Sequence, residues 1–175
     1  MPVIAIKENV ELAPWADVVY GCDAAWWRAE RGLPKYQGLK VCWGGNGLED
    51  QTVKRIDIEK HCDKILTDKP GTVGSGGNSG FQTTNLVVQF LVDRILLIGF
   101  DMDDRSGAHW YGRNQWPMCS NPSHLNFRRW IKAFTDVAPD LAKLGVTVWS
   151  TSRNGALKCF PFRTIEEALT EWAIA

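Results

Sequence analysis

Gly80-Phe81-Gln82-Thr83-Thr84-Asn85-Leu86-Val87-Val88-Gln89-Phe90-Leu91-Val92-Asp93-Arg94-Ile95-Leu96-Leu97-Ile98-Gly99-Phe100-Asp101 reads as one unit, an amphipathic helix running into an apolar strand. Phe81, Leu86, Val87, Phe90 and Leu91 fall close to one helical stripe, which predicts a helix over Gly80–Asp93. Ile95 to Phe100 shows no polar alternation, which predicts a strand covered on both faces. Such strands belong to parallel sheets flanked by helices. The expected fold is therefore α/β, a Rossmann-like doubly wound and mostly parallel sheet with this strand at its centre. Ligands of such sheets sit outside the carboxyl ends of the strands. Interest falls on Asp101, which follows the strand, and on the loop before the helix.

Outward from this unit, β-rich runs at Val3–Ile6, Val18–Tyr20, Leu39–Trp43, Lys64–Thr67 and Val146–Trp149 join Arg94–Phe100 as expected strands. Ser123–Leu144 carries a helical stripe of Phe127, Trp130, Ile131, Phe134, Leu141 and Leu144. A last helix is expected over Thr164–Trp172, with Thr164 and Glu167 spaced as a capping box. Neither a repeat nor a linker interrupts the 175 residues, a length that suits one core, so residues 1–175 are expected to form a single domain.

Twenty Lys and Arg balance twenty Asp and Glu without a clustered basic patch, which speaks against a nucleic-acid partner. The opening Met1-Pro2-Val3-Ile4-Ala5-Ile6 turns polar at Lys7-Glu8-Asn9, too short for a signal peptide, and no apolar run approaches a membrane span. A cytoplasmic protein without a membrane partner is expected. Cys22, Cys42, Cys62, Cys119 and Cys159 are odd in number and form no C-x-x-C pair, which suggests reduced thiols. His61 beside Cys62 lacks the second pair that a tetrahedral metal site needs.

The loop Gly71-Thr72-Val73-Gly74-Ser75-Gly76-Gly77-Asn78-Ser79-Gly80 opens the helix, so free N–H groups and the helix dipole would face an anion held there. It lacks the third Gly of a dinucleotide fingerprint and the Lys of a P-loop. Gly76, Gly77, Asn78, Ser79 and Gly80 are candidate ligand-binding residues, with N-capping by Asn78 or Ser79 as the structural alternative. Asp101-Met102-Asp103, followed by Asp104, offers a D-x-D pattern, so Asp101 and Asp103 are weak candidates for holding Mg²⁺ or Mn²⁺. The connection Asp103–Pro122 is long and aromatic and suggests a lid or pocket wall. Within it His109 is a candidate acid or base and Tyr111 a candidate ligand contact. Asp23 ends an early strand as Asp101 ends a later one. Trp26 and Trp27 follow it, and since the two cannot share one helical face, one is expected in the core while the other, Trp27, is a candidate to stack on a flat ligand ring, with plain packing of either as the favoured structural alternative.

Taken together, Ala13-Pro14-Trp15-Ala16-Asp17, Cys22 to Trp27, Asn78-Ser79-Gly80, Leu97 to Met102 and His109-Trp110-Tyr111-Gly112 resemble an uncharacterised phage and prophage protein family. That family is similar in turn to the Rossmann-like archaeal 6-hydroxymethylpterin diphosphokinase family and, more distantly, to bacterial CMP-sialic-acid sialyltransferases. The resemblance implies a nucleotide-shaped pocket. Members of the wider group begin with a strand and a Gly-Pro-Ser-Leu turn that helps cradle phosphates, whereas this chain starts at Val3–Ile6.

The leading expectation is a nucleotide- or nucleotide-sugar-dependent transferase, glycosyltransferase-like or diphosphokinase-like. Asn78, Ser79 and Gly80 would hold phosphate or ribose, Asp101 would orient the donor and His109 would move the proton. The alternatives are a non-catalytic module that holds a nucleotide-like ligand, and a homo-oligomeric interaction protein whose surplus Trp residues form contacts. If phage-encoded, the protein would act in the host cytoplasm.

Overall fold

The computed structural model describes residues 1–103, 105, 107–116 and 119–173, with the backbone alone at Asn46 and Ala173. Asp104 lies outside the described residues. The strands are β1 (Ile4–Ile6), β2 (Val18–Gly21), β3 (Leu39–Trp43), β4 (Lys54–Glu59), β5 (Thr72–Gly74), β6 (Arg94–Leu97) and β7 (Thr147–Ser150). The helices are α1 (Asn9–Leu12), α2 (Ala24–Ala29), α3 (Ser79–Gln89), α4 (His124–Lys143) and α5 (Ile165–Ala173). Strands β1 to β5 form an all-parallel sheet in chain order, and β6 pairs in parallel with β7 as a second ladder. The five-stranded sheet is curled and flanked by helices, a mixed α/β architecture of the Rossmann-like, single-domain kind.

Apolar side chains sort into three clusters. On one face of the large sheet Ala5, Val19 and Cys42 meet Val10 of α1 and Trp26 and Trp27 of α2. On the opposite face Val18, Tyr20, Val41 and Val73 meet Leu86 of α3. The third cluster joins Phe81 and Val88 of α3 to Ile95 and Leu97 of β6, Val148 of β7, and Phe134 and Val137 of α4. Helix α3 thus lies between the two sheets, against β1, β2 and β5 on one side and α4 on the other.

This position explains why α3 departs from the expected stripe. Gln82, Thr83, Thr84 and Asn85 are as buried as Phe81 and Leu86, whereas Phe90 is half exposed and Leu91 is 92% exposed. The helix ends at Gln89, and Leu91 takes a left-handed φ of 60° beyond it. The buried amides bond to backbone. Asn85 Oδ1 accepts from the N–H groups of Leu66 (2.9 Å) and Gly74 (2.8 Å), and Asn85 Nδ2 donates to Leu66 O (2.8 Å). One turn on, Gln89 Nε2 donates to the carbonyls of Leu66 and Thr72, while its Oε1 accepts from Gly71 N–H. One turn back, Gln82 Oε1 accepts from Tyr20 Oη (2.9 Å) and its Nε2 donates to Ser75 O. Gln82, Asn85 and Gln89 fall on one helical face and hold the chain from Leu66 through β5 to Ser75.

Three strand expectations are corrected. Lys64–Thr67 is not a strand, because its Leu66 peptide groups are bound by the side chains of Asn85 and Gln89 instead of a ladder. Lys54–Glu59 is one, with Ile56 and Ile58 half-buried on one face and charged residues on the other, and β5 lies inside the glycine-rich stretch. Strand β6 is neither central nor covered on both faces. It has one ladder partner, its burial alternates, and Ile98 beyond it is 57% exposed. Val18-Val19-Tyr20-Gly21 of β2 is the strand buried on both faces.

The helix-end chemistry follows the sequence. Asn78 Oδ1 caps α3 by accepting from Phe81 N–H (2.8 Å), and Thr164 and Glu167 form the reciprocal pair at the start of α5. Replacing Asn85 by Ala leaves the buried N–H of Gly74 and the partly buried N–H of Leu66 without acceptors. We expect a loss of about 2–6 kcal/mol in urea unfolding, at roughly 1–3 kcal/mol for each orphaned group. Leu91→Gly should instead stabilise by roughly 0.5–1 kcal/mol, because it relieves the left-handed conformation at a position where helices usually place glycine.

Candidate functional site

The carboxyl ends of β1 and β2 place Lys7, Glu8, Cys22 and Asp23 side by side. Lys7 follows β1 with a left-handed φ of 52°, and its N–H donates to Tyr20 O (2.9 Å) across the ladder. Its Nζ lies 3.0 Å from Asp23 Oδ2 and 5.5 Å from the centre of the Trp116 ring. The Lys7 side chain is 14% exposed. Burial alone would lower its pKa, but the charge and hydrogen bond of Asp23 prevail and hold it above the ordinary lysine value.

Helix α3 reaches the same edge. Ser79 Oγ lies 3.3 Å from Cys22 Sγ, and Asn78 closes the loop by capping Phe81 and donating from Nδ2 to Gly76 O. Among the described residues the backbone N–H groups of Ser79 and Gly80 take no partner. They leave the positive end of an eleven-residue helix open beside Cys22. Burial, and then the charge of Asp23, push the Cys22 thiol up to about 12, so it is a neutral, weakly polar wall of the site.

The connection after β6 folds over this edge as an aromatic roof. His109 stacks on Tyr111 with ring centres 4.8 Å apart and planes at 8°, Trp110 and Trp116 meet Tyr111 edge-on or tilted, and Trp110 Nε1 donates to Asn9 Oδ1 (2.7 Å). Burial, followed by the positive charge of Lys7, lowers the pKa of His109, which keeps its imidazole neutral near pH 7. Burial, followed by the charges of Glu8 and Asp23, raises that of Tyr111.

The structure gathers Asp23, Ser79, Gly80, His109 and Tyr111 around Lys7 and Cys22. Asn78 is spent on capping. Gly76, with φ 52°, is required by packing, because a Cβ there would lie 2.0 Å from the Phe81 ring. Gly77 supports α4 through its carbonyl, which accepts from Trp130 Nε1 (2.9 Å). Trp27 is fully buried and donates from Nε1 to Gly21 O (2.8 Å), so both Trp26 and Trp27 belong to the core. Asp101 is exposed, and its backbone is tied to residues 155 and 156. Phe100 packs on Gly80, but the Asp101 carbonyl accepts from Ala156 N–H (2.6 Å), and no contact joins Asp101 to His109 among the described residues. Asp103 pairs with Arg105 at 2.6 Å, and no three His, Cys, Asp or Glu side chains cluster as metal ligands among the described residues.

Lys7 and Glu8 escaped the sequence reading, although the rule that singled out Asp101, a polar residue just past a parallel strand, applies equally to them after β1. Among the described residues no helix is long and apolar enough to cross a membrane. No family model, curated protein or solved structure matches the chain.

A titration of His109 followed by NMR should give a midpoint below 6.5, and Lys7→Met should raise it part of the way, since burial remains. A depressed imidazole pKa means that the unfolded chain takes the proton more readily than the folded one. The stability contributed by His109 is therefore fully present above pH 6.5 and declines as the pH falls below it.

Proposed function

We propose that the carboxyl edge of the large parallel sheet binds a nucleotide-like phosphorylated small molecule, with the phosphate at the open N-terminus of α3 and the remainder under the aromatic roof. The convergence of the Ser79 and Gly80 N–H groups, Lys7 and the His109–Tyr111 stack at one edge carries this reading. Helix N-termini favour anions through unpaired N–H groups and the helix dipole, and the Lys7 ammonium, held charged by Asp23, adds N–H donors nearby. The resemblance to the phage and prophage family, and through it to nucleotide-using enzymes, supports the same ligand class and a setting in the host cytoplasm.

A nucleotide- or nucleotide-sugar-dependent transferase is the second reading, favoured by His109. A neutral imidazole beside a cation is suited to accept a proton from an attacking hydroxyl. The Asp101 backbone is bound to residues 155 and 156, and no contact joins Asp101 to His109 among the described residues, so this reading leans on His109 alone.

Thermal unfolding in the presence of ribonucleoside mono- and diphosphates and nucleotide sugars, with and without Mg²⁺ or Mn²⁺, tests the proposal. A ligand at a hundred times its Kd should stabilise the fold by about 2.7 kcal/mol, roughly 5–10 °C for a chain of this size. Lys7→Met should weaken binding by about ten- to a hundredfold, the usual loss when a charge-assisted hydrogen bond is removed. Absence of any stabilising nucleotide would sink the reading. His109→Ala separates the two versions: a transferase should lose turnover by about a hundredfold or more with binding nearly kept, whereas a binding module would change in affinity alone.

A further inference from the structure

Helices α3 and α4 end alike, and they end beside one another at the amino end of the β6–β7 ladder. Each stops at a C-cap, Phe90 (φ −80°, ψ 8°) or Leu144 (φ −77°, ψ 0°), and passes through one left-handed residue towards its strand. Thr147 N–H donates to Asp93 O (2.8 Å), which fixes the two helix ends side by side. The next residues, Val92 and Val146, both turn into the core.

The left-handed residues differ. After α4 it is Gly145 (φ 77°), at a position where a Cβ would meet nothing within 4 Å. Room for a side chain is therefore not what calls for glycine there; the backbone conformation is. After α3 the same position is Leu91 (φ 60°), which is 92% exposed. Leucine here is unfavourable twice over, because its Cβ strains the left-handed backbone and its side chain stands in water. The core gains nothing from it. Phe90 and Leu144, each about half exposed, extend the apolar surface at this end of the domain.

We propose that this end is a self-association surface, on which a second copy of the chain covers Leu91, Phe90 and Leu144 across a two-fold axis. The charges around the apolar residues select that occupant. Asp93 pairs with Arg94 (3.4 Å) and Asp140 with Lys143 (3.1 Å), and all four side chains are exposed. A two-fold contact sets a patch against itself, so the patch must be self-complementary. Two acids and two bases meet that demand, since Asp93 and Arg94 of one copy can face the partner's Lys143 and Asp140. An anionic membrane surface would call for an excess of base, and a strongly charged protein partner for an excess of either sign. The chain as a whole carries twenty basic and twenty acidic residues, so two copies meet without net repulsion. An apolar centre with a charged rim is also the usual anatomy of a protein interface. The surface lies at the strands' amino ends, so the proposal is independent of the ligand reading above.

Sedimentation velocity on the full chain over roughly 1–100 µM should show monomer passing to dimer, with the proportions set by concentration. Leu91→Gly separates association from folding, because it removes the exposed side chain and relieves the backbone. It should weaken dimer formation by about a hundredfold or more, as two copies of a buried leucine leave one interface, while its urea midpoint in dilute solution rises above that of the parent. Arg94→Asp gives the rim an excess of negative charge. It should weaken the dimer also, and added salt should restore part of the loss by screening the repulsion. A chain that stays monomeric to about 100 µM, or a dimer that Leu91→Gly leaves intact, overturns the inference. So does a monomer that binds neutral phosphatidylcholine vesicles and loses that binding in Leu91→Gly, which would assign the surface to a membrane instead.

Discussion

Helix α3 has no solvent face to spare, and the amides of Gln82, Asn85 and Gln89 are what make this possible. Each reaches out of the helix to backbone groups between Leu66 and Ser75, on the irregular chain and on the outer edge of β5, and Gln82 also to the Tyr20 hydroxyl. Buried peptide groups must find partners, and here side chains three and four residues apart on one helical face serve in place of a strand. The connection from β4 into β5 is fixed by this stripe, and with it the point at which the chain turns into α3. On the opposite side of the same helix Phe81 and Val88 seal the contact with β6, β7 and α4.

The geometry of the candidate site is inherited from that arrangement. With α3 clamped across β1, β2 and β5, its first turn must emerge beside Cys22, so Ser79 meets the end of β2 although β5 stands at the far edge of the sheet. Lys7 and Asp23 need no help from α3, since they leave adjacent parallel strands. The roof adds the remaining wall. Its aromatic rings are tied to the body through Asn9 and Lys7, and they put burial rather than hydrogen bonding in control of the protonation of His109 and Tyr111.

The parallel α/β class was legible in the alternation of β-rich runs with helices, and so were the caps at Asn78 and Thr164, because these depend on neighbours close in the chain. The identity of the doubly covered strand was not. Ile95 to Phe100 looks more apolar than Val18 to Gly21, but burial depends on which strand receives a helix on each side, and α2 and α3 cover β2. The stripe on α3 misled for a related reason: Phe90 and Leu91 continue an apolar spacing past the point where the helix stops, while polar residues are buried by partners far away. Glycines of the loop were read as ligand contacts, and in the structure Gly76 is set by contact with Phe81. Of the site itself, Asp23, Ser79, His109 and Tyr111 could be picked from local cues. Lys7 and Glu8 could have been, since they stand immediately after a strand.

Strand order also governs how such a chain can be assembled. Each strand of the large sheet pairs with the one made just before it, so loop closures are short and the sheet can extend from its N-terminal edge during synthesis. What it cannot do early is cover its second face, which waits for residues 79–89. Until α3 arrives, Val18, Tyr20 and Val41 remain open to water, and the chain from Leu66 to Ser75 lacks the amides that define its path. Docking of that helix is therefore the step that joins the two ladders into one cooperative unit, with the half-built sheet before it as the species most prone to aggregate.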